Sequence, residues 1–302
     1  MHSPPLLLLP PDPSLIPAYR AALLAADPSL DVTGYSRELD DAQLARIEVV
    51  LGWRLPPGLA PRLPRLRWVC SIAAGVEKLL VPELPPQVPV SRIVDPDQAL
   101  GMAQHVALMV LRHARALPLY EQQQQVRSWA RHPKAAARHR VAILGFGEVG
   151  RAIAEPLRAL GFAVEGWRRD SGPLHALLAR SDIVVNTLPL TPATQGLLDA
   201  GCWAAMPRGG YFINVARGGH VDEAALIAAV QSGQLAGAAL DVQQTEPLPP
   251  DDPLWAVPGI LITPHIAAQS SLETVAAQFV AGLRCLQRGE PLPHPVDRTR
   301  GY

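Results

Sequence analysis

The sequence predicts an α/β protein of two domains, each a doubly wound parallel sheet, and three observations carry that prediction. The chain has 302 residues, 48% of them hydrophobic and 18% charged, and at about 150 residues per domain that length suggests two domains, each able to bury a core. Short apolar runs alternate with helical stretches along nearly the whole chain, the pattern of βα units and a parallel sheet. Near the middle of the chain a glycine-rich turn joins one of these runs to the helix that follows it.

Composition narrows the function classes. Basic and acidic side chains balance, 27 against 27, with a pI near 7.1, so no global field draws the protein to nucleic acid or to an anionic membrane. The 32 prolines are about twice the usual share, yet disorder needs few apolar residues and a large net charge, and this chain has neither. Sixteen of the prolines lie in residues 1–96, a composition shift that marks a domain boundary near residue 96. Cys70, Cys202 and Cys285 are odd in number and widely spaced, which suits reduced thiols of a cytoplasmic protein and offers no zinc-ligand spacing; no metal is expected. The opening four leucines between prolines are too few for a secretory signal and read as a first buried strand. No run reaches the ~18 apolar residues of a membrane span.

In chain order, strands are expected at 6–9, 30–34, 48–52, 66–71 and 90–94, with a helix at 18–26. A long apolar helix at 99–116 follows, then a polar helical stretch to Trp129 and a loop at 131–140. The alternation restarts with strands at 141–144, 163–167, 181–186, 211–214, a strand ending at 239–242, and one at 260–263. An amphipathic helix at 272–288, stopped by Gly289, closes the chain. The expected domains are 1–96, completed by the C-terminal helix within 271–302, and 97–270.

The strand at 141–144 runs directly into Gly145-Phe146-Gly147-Glu148-Val149-Gly150, and a helix at 151–160 follows. Glycines cluster in any tight turn, but a strand-to-helix junction inside a βαβ unit of about 30 residues is where the dinucleotide-binding (Rossmann) motif stands. Gly145 permits the turn, Gly147 lets the backbone approach a pyrophosphate, and Gly150 lets helix and strand pack closely. The helix N-terminus that follows supplies free N–H groups and the positive dipole end for the phosphates, and Glu148 and Val149 of the turn are counted with the three glycines as cofactor-binding residues. Pro156 should remove one backbone bond from this helix and kink it. About 20 residues on, where NAD sites carry an acid for the ribose hydroxyl, stand Arg168 and Arg169. Guanidinium groups match a 2′-phosphate, so NADP is the preferred cofactor, with NAD the alternative if Asp170 serves as a displaced acid.

Residues just past the C-terminal ends of parallel strands converge on the ligand crevice. Arg217, Glu246 and His265 occupy such positions on three successive units. Singly, each has an ordinary reading: a loop ion-pair residue, a solvated turn acid, a helix cap. Jointly, at the mouth of a nucleotide fold, they place a cation, an acid and an imidazole beside the reacting end of the cofactor.

The stretches GFGEVG, NTLPLTPATQG, NVARGG, ALDV with EPLPPDDPLW, and TPHIAA follow one another in an order and spacing that resembles the D-isomer-specific 2-hydroxyacid dehydrogenases over about residues 45–300. Within that family the chain is similar to the glyoxylate/hydroxypyruvate reductase A group, through Trp53 and the ending 296–302, and the paired arginines resemble those of NADPH-preferring members. The resemblance implies a flavodoxin-like substrate domain and a Rossmann cofactor domain with the active site in the cleft between them. It implies His265 as acid/base, Glu246 as its partner favouring the imidazolium, and Arg217 binding the substrate carboxylate and polarising the carbonyl. An imidazole, with an ordinary pKa of about 6.5, suits that proton transfer. Asp241 is implied to hold the nicotinamide carboxamide, with Leu188, Pro189, Val215 and Ala216 lining the cofactor site. Backbone amides at Ala74, Gly75 and Val76 are implied to hold the substrate carboxylate, and Trp53 to limit substrate size. The implied substrate is a small 2-oxo or 2-hydroxy acid, and the region 99–129 is implied to form a homodimer. A nucleotide-sensing, corepressor-like interaction protein is the alternative, as is a dehydrogenase for a different 2-hydroxy acid.

Overall fold

The computed structural model describes residues 4–131 and 139–299. Most of the loop expected at 131–140, Lys134 within it, and the last three residues of the 296–302 stretch lie outside them. The chain divides into two compact units, residues 1–96 with 269–302, and residues 97–268.

In the first unit the elements are β1 (Leu6–Leu9), α1 (Ile16–Ala26), β2 (Val32–Gly34), α2 (Asp41–Leu44), β3 (Val49–Gly52), β4 (Trp68–Ser71) and β5 (Val90–Ser91). Its sheet runs β2-β1-β3-β4-β5, every pair parallel. The four leucines of β1 show how a short apolar run builds such a sheet. Side chains alternate between faces with period 2, so Leu6 and Leu8 enter one core and Leu7 and Leu9 the other. A parallel strand covered on both faces has no use for a polar residue. Prolines lie between these strands, in the connections.

The second unit begins with α3 (Pro96–Ala114) and α4 (Leu117–Gln125). It continues with β6 (Arg140–Leu144), α5 (Glu148–Ala159), β7 (Ala163–Trp167), α6 (Leu174–Leu178), β8 (Ile183–Asn186), α7 (Ala200–Ala205), β9 (Gly210–Asn214), α8 (Glu223–Gln231), β10 (Leu235–Leu240) and β11 (Ile260–Ile262). The sheet order is β11-β10-β9-β8-β6-β7, again all parallel. Ala142 and Leu144 of β6 face one core, Val141 and Ile143 the other, where α3 supplies Ala103, Val106 and Val110. Burial in that second core pushes the Tyr211 hydroxyl up to about 12. The chain moves outward from β6 to β7 and then returns to β8 on the other side of β6. That reversal is the switch point at which an open parallel sheet leaves a crevice.

The last helix, α9 (Leu272–Arg288), returns to the first unit. Ser271 caps its start through the Thr274 amide, and Gly289 ends it at φ 69°. Phe279 stacks on Trp68, ring centroids 5.1 Å apart, and Gly282 leaves room for the indole edge, which a Cβ there would meet at 2.7 Å. Beyond the helix Arg298 donates to the carbonyls of Leu84, Pro85 and Val88, so the C-terminal stretch adds extended chain as well as a helix to this unit. Pro156 sits inside α5, which nonetheless runs on to Ala159.

Candidate active site

The switch point is built from the turns after β6 and β8. Gly145 takes φ 92°, and a Cβ there would lie 2.7 Å from the Thr187 carbonyl oxygen. Thr187 closes the approach by donating its hydroxyl to the carbonyls of Leu144 and Gly145. Gly150 supports the next turn of chain, since its Cβ would meet the Gly145 carbonyl at 2.5 Å. Gly147 differs: no atom lies within 4 Å of where its Cβ would be, so the open side of the turn is kept clear for a ligand to come close. The helix begins there, three residues earlier than expected, with Gly147 as N-cap. The amides of Glu148, Val149 and Gly150 are therefore first-turn donors with no helical acceptor, suited to phosphate oxygens.

At the end of β7, Arg168 turns back over this loop. Its Nε and Nη2 donate to the Phe146 carbonyl at 2.9 and 2.6 Å. The Phe146 ring lies flat on Gly166, where a Cβ would come within 2.1 Å of it. Arg168 is thus held at the mouth of the glycine turn with Nη1 unspent, while Arg169 and Asp170 are exposed beside it.

Three further strand ends carry the reactive groups. Arg217 follows β9, half-buried, its Nη1 donating to the Ala216 carbonyl at 2.7 Å. Gly218 next to it crosses the chain after β10 so closely that a Cβ would sit 1.9 Å from the Gln243 carbonyl carbon. Glu246 splits its carboxylate between two partners. Oε1 accepts from the Gln243 amide at 3.3 Å, and Oε2 lies 3.1 Å from His265 Nδ1. The side chains of His265 and Glu246 are 27% and 21% exposed, enough to be reached and little enough for their attraction to count. Close by, burial pushes the Glu223 carboxyl up despite the hydrogen bond it accepts from the Gln244 amide.

His265 stands in the left-handed region at φ 56°, its amide donating to the carbonyls of Asp241 and Thr263. The Asp241 carboxylate braces the same loop. Oδ1 accepts from the Thr263 hydroxyl at 2.5 Å and the Ile266 amide at 2.9 Å, and Oδ2 from the Ala267 amide at 2.8 Å. Sequence reasoning assigned Asp241 to the cofactor alone and missed this bracing.

A buried polar network beneath Arg217 was also missed. Asn186 ends β8 directly opposite Asn214 at the end of β9. Asn186 Nδ2 donates to Asn214 Oδ1 at 3.0 Å and lies 3.1 Å from His220 Nδ1. Asn214 Nδ2 donates to the Arg217 carbonyl, and Asn214 Oδ1 accepts from the Ala216 amide. The two asparagines at equivalent strand ends were the available signal. Asn186 Oδ1 also accepts from the Leu188 amide, so one network holds the backbone of Leu188, Ala216 and Arg217, and Pro189 and Val215 adjoin it in sequence.

In the first unit, β3 and β4 are neighbours, and Trp53 and the 71–76 loop leave their adjacent ends. Trp53 is half-buried with Lys78 Nζ 5.2 Å from its ring centroid, a cation–π contact. Ser71 shapes the loop by donating to the Gly75 carbonyl and accepting from the Ala73 amide. Ala74 is exposed, Gly75 half-buried, and Val76 is anchored in the core.

A glycine turn at the switch point of a parallel sheet, with an arginine and a His–Glu pair at the next strand ends, defines a dinucleotide-dependent oxidoreductase. Residues 107–267 match the model of the D-isomer specific 2-hydroxyacid dehydrogenase, NAD binding domain. The glyoxylate/hydroxypyruvate reductase A of Yersinia enterocolitica is 34% identical over 274 residues, 84% of this chain and 88% of that protein. The D-isomer specific 2-hydroxyacid dehydrogenase of Xanthobacter autotrophicus Py2, solved with NADPH and MES, is 42% identical with a TM-score of 0.86, covering 99% of this chain and all of that one. The NADPH-dependent glyoxylate/hydroxypyruvate reductase of Sinorhizobium meliloti, solved with NADP and sulfate, is 34% identical with a TM-score of 0.87, covering 99% of each chain. The chain belongs to the D-isomer specific 2-hydroxyacid dehydrogenase family.

Proposed function

We propose that the protein reduces a small 2-oxo acid of the glyoxylate or hydroxypyruvate type to the 2-hydroxy acid, with NADPH preferred over NADH. The observation that carries the reading is the His265 Nδ1–Glu246 Oε2 contact at 3.1 Å on loops that follow neighbouring parallel strands. Gly145, Gly147 and Gly150 with the first amides of α5 would hold the nicotinamide cofactor, which when bound would supply a hydride for the carbonyl carbon. Arg217 holds the substrate carboxylate and the carbonyl oxygen, whose growing negative charge its guanidinium stabilises. With Nδ1 facing Glu246, His265 delivers the proton to that oxygen from Nε2, and Glu246 steadies the imidazolium that does so. Asp241 would hold the cofactor carboxamide through carboxylate lone pairs not used in bracing the loop. Three cysteines without disulfides suit a reducing cytoplasm. A steady-state panel of glyoxylate, hydroxypyruvate, pyruvate and phenylpyruvate tests the reading; a protein that binds NADPH yet turns over none of them is a nucleotide sensor instead.

The cofactor preference rests on Arg168, which the Phe146 carbonyl holds beside the turn, and on Arg169 next to it. A charged hydrogen bond contributes about 1.5–3 kcal/mol, or roughly ten- to hundredfold in affinity. Arg168→Ala with Arg169→Ala should therefore raise KM for NADPH by roughly that factor and leave KM for NADH nearly unchanged. Equal effects on both cofactors would remove the preference from these residues.

For the assembly we infer a homodimer through α3, α4 and the chain to residue 129. Leu100 and Leu108 on α3 are each 56% exposed, Val126 is 74% and Trp129 93% exposed, a run of apolar surface that monomers rarely leave open. Light scattering should give about twice the 32.4 kDa chain mass, and Val126→Ser with Trp129→Ser should shift it toward one copy. A wild-type monomer at micromolar concentration overturns the assembly.

A further inference from the structure

We propose that His175, Asp199 and Cys202 form a binding site for a thiophilic divalent cation of the zinc class, between α6 and α7 and apart from the candidate active site. Their ligand atoms all lie within 4.8 Å of one another, the one such trio among the described residues. His175 Nε2 is 3.7 Å from Cys202 Sγ. A tetrahedral zinc, with Zn–N of about 2.0–2.1 Å and Zn–S of about 2.3 Å, holds an imidazole nitrogen and a sulfur about 3.5 Å apart, so this edge of the tetrahedron is nearly formed.

Local structure explains the convergence. Asp199 is the N-cap of α7, and its Oδ1 accepts from the Cys202 amide three residues on. That bond places the carboxylate and the thiol on one turn and leaves Oδ2 for an ion. Gly201 lies between them, where a Cβ would meet Asp199 Oδ1 at 3.2 Å and His175 Cε1 at 3.6 Å. The missing side chain lets imidazole and carboxylate close over the backbone. Cys202 is buried while His175 and Asp199 are exposed, so the sulfur forms the floor and solvent has access from above. One thiolate, one imidazole and one carboxylate with a water in fourth place is a borderline-soft donor set. At present the thiol faces the Leu197 carbonyl at 3.3 Å; on binding, the cation replaces the thiol proton, which leaves to solvent. Sequence spacing gave no sign of this site because His175 lies 27 residues from Cys202 and on another helix.

The test is a titration of chelator-treated protein with Co2+, followed by displacement with Zn2+. The expected result is one equivalent of Co2+ with a sulfur-to-cobalt charge-transfer band and tetrahedral d–d bands, all lost on adding Zn2+. Cys202→Ser should abolish the charge-transfer band, and His175→Ala and Asp199→Asn should each weaken Zn2+ binding by roughly an order of magnitude or more. Zn2+ should raise the Tm of the wild type and not of His175→Ala, whose turnover stays unchanged. His175 and Asp199 are exposed, so their variants decide the matter even if Cys202→Ser fails to fold. Absence of the band in the wild type, or binding unaltered in both exposed variants, overturns the site.

Discussion

Replacing His265 by asparagine is expected to lower kcat for 2-oxo acid reduction by roughly 10²–10⁴-fold, the usual contribution of a positioned acid, with NADPH affinity little changed. Asparagine is the informative choice because His265 stands at φ 56°, a region that asparagine tolerates better than most residues. The loop should therefore keep its shape, since the bonds that hold it run to the backbone and to Asp241 rather than to the imidazole. Glu246→Gln should cost less, because the amide still orients Nδ1 but no longer stabilises the positive ring. Steady-state kinetics with glyoxylate, beside a fluorescence titration of NADPH, separates these effects. A His265→Asn protein that keeps its kcat would take the proton-donor role away from this residue.

Gly218→Ala is expected to destabilise the second unit by more than about 4 kcal/mol, in the range reserved for severe core disruption. The added Cβ would lie 1.9 Å from the Gln243 carbonyl carbon, 2.1 Å from its oxygen and 2.3 Å from the Gln244 nitrogen. All three are backbone atoms, so no side chain can swing aside, and the loops after β9 and β10 must part. Arg217 and Glu246 sit on those two loops, and activity should fall along with the denaturant midpoint. Gly147→Ala is the control: with no atom within 4 Å of the new carbon, stability should hold while KM for NADPH rises. An unchanged midpoint in Gly218→Ala would mean that the two chains do not cross as closely as described.

Much of the fold was legible because its strands are short apolar runs between strong punctuation. Leu6–Leu9, Ala163–Trp167 and Leu272–Arg288 form where periodicity, glycine and capping put them. The errors lie at strand boundaries: the strand expected at 90–94 already ends at Ser91, and others start late. Leu30, Leu66 and Ser181 looked like strand residues, but their amides close turns onto Asp27, Leu63 and Leu178, and apolarity cannot tell a buried turn from a strand. The helix α5 begins three residues early for a related reason. Glycine suggests loop, yet Gly150 is helical because the turn beneath it needs the space. In the candidate site, the residues at strand ends could be placed by order alone. The Asn186–Asn214–His220 network and the bracing by Asp241 could not, because both depend on strand register and on which loop crosses which.

The division of the chain has a consequence for its synthesis. One unit is a single stretch, 97–268, whereas the other needs residues from both sides of it. On a ribosome moving at about 5–20 residues per second, the first 96 residues wait roughly 10–40 s for Phe279 and Arg298 to emerge. During that interval Trp68 has no Phe279 to stack on and the carbonyls of Leu84, Pro85 and Val88 have no Arg298. The continuous unit is then the part able to mature first during translation, and the split one is completed only once α9 has followed it, which makes its exposed strands the stretch of chain that a chaperone would meet.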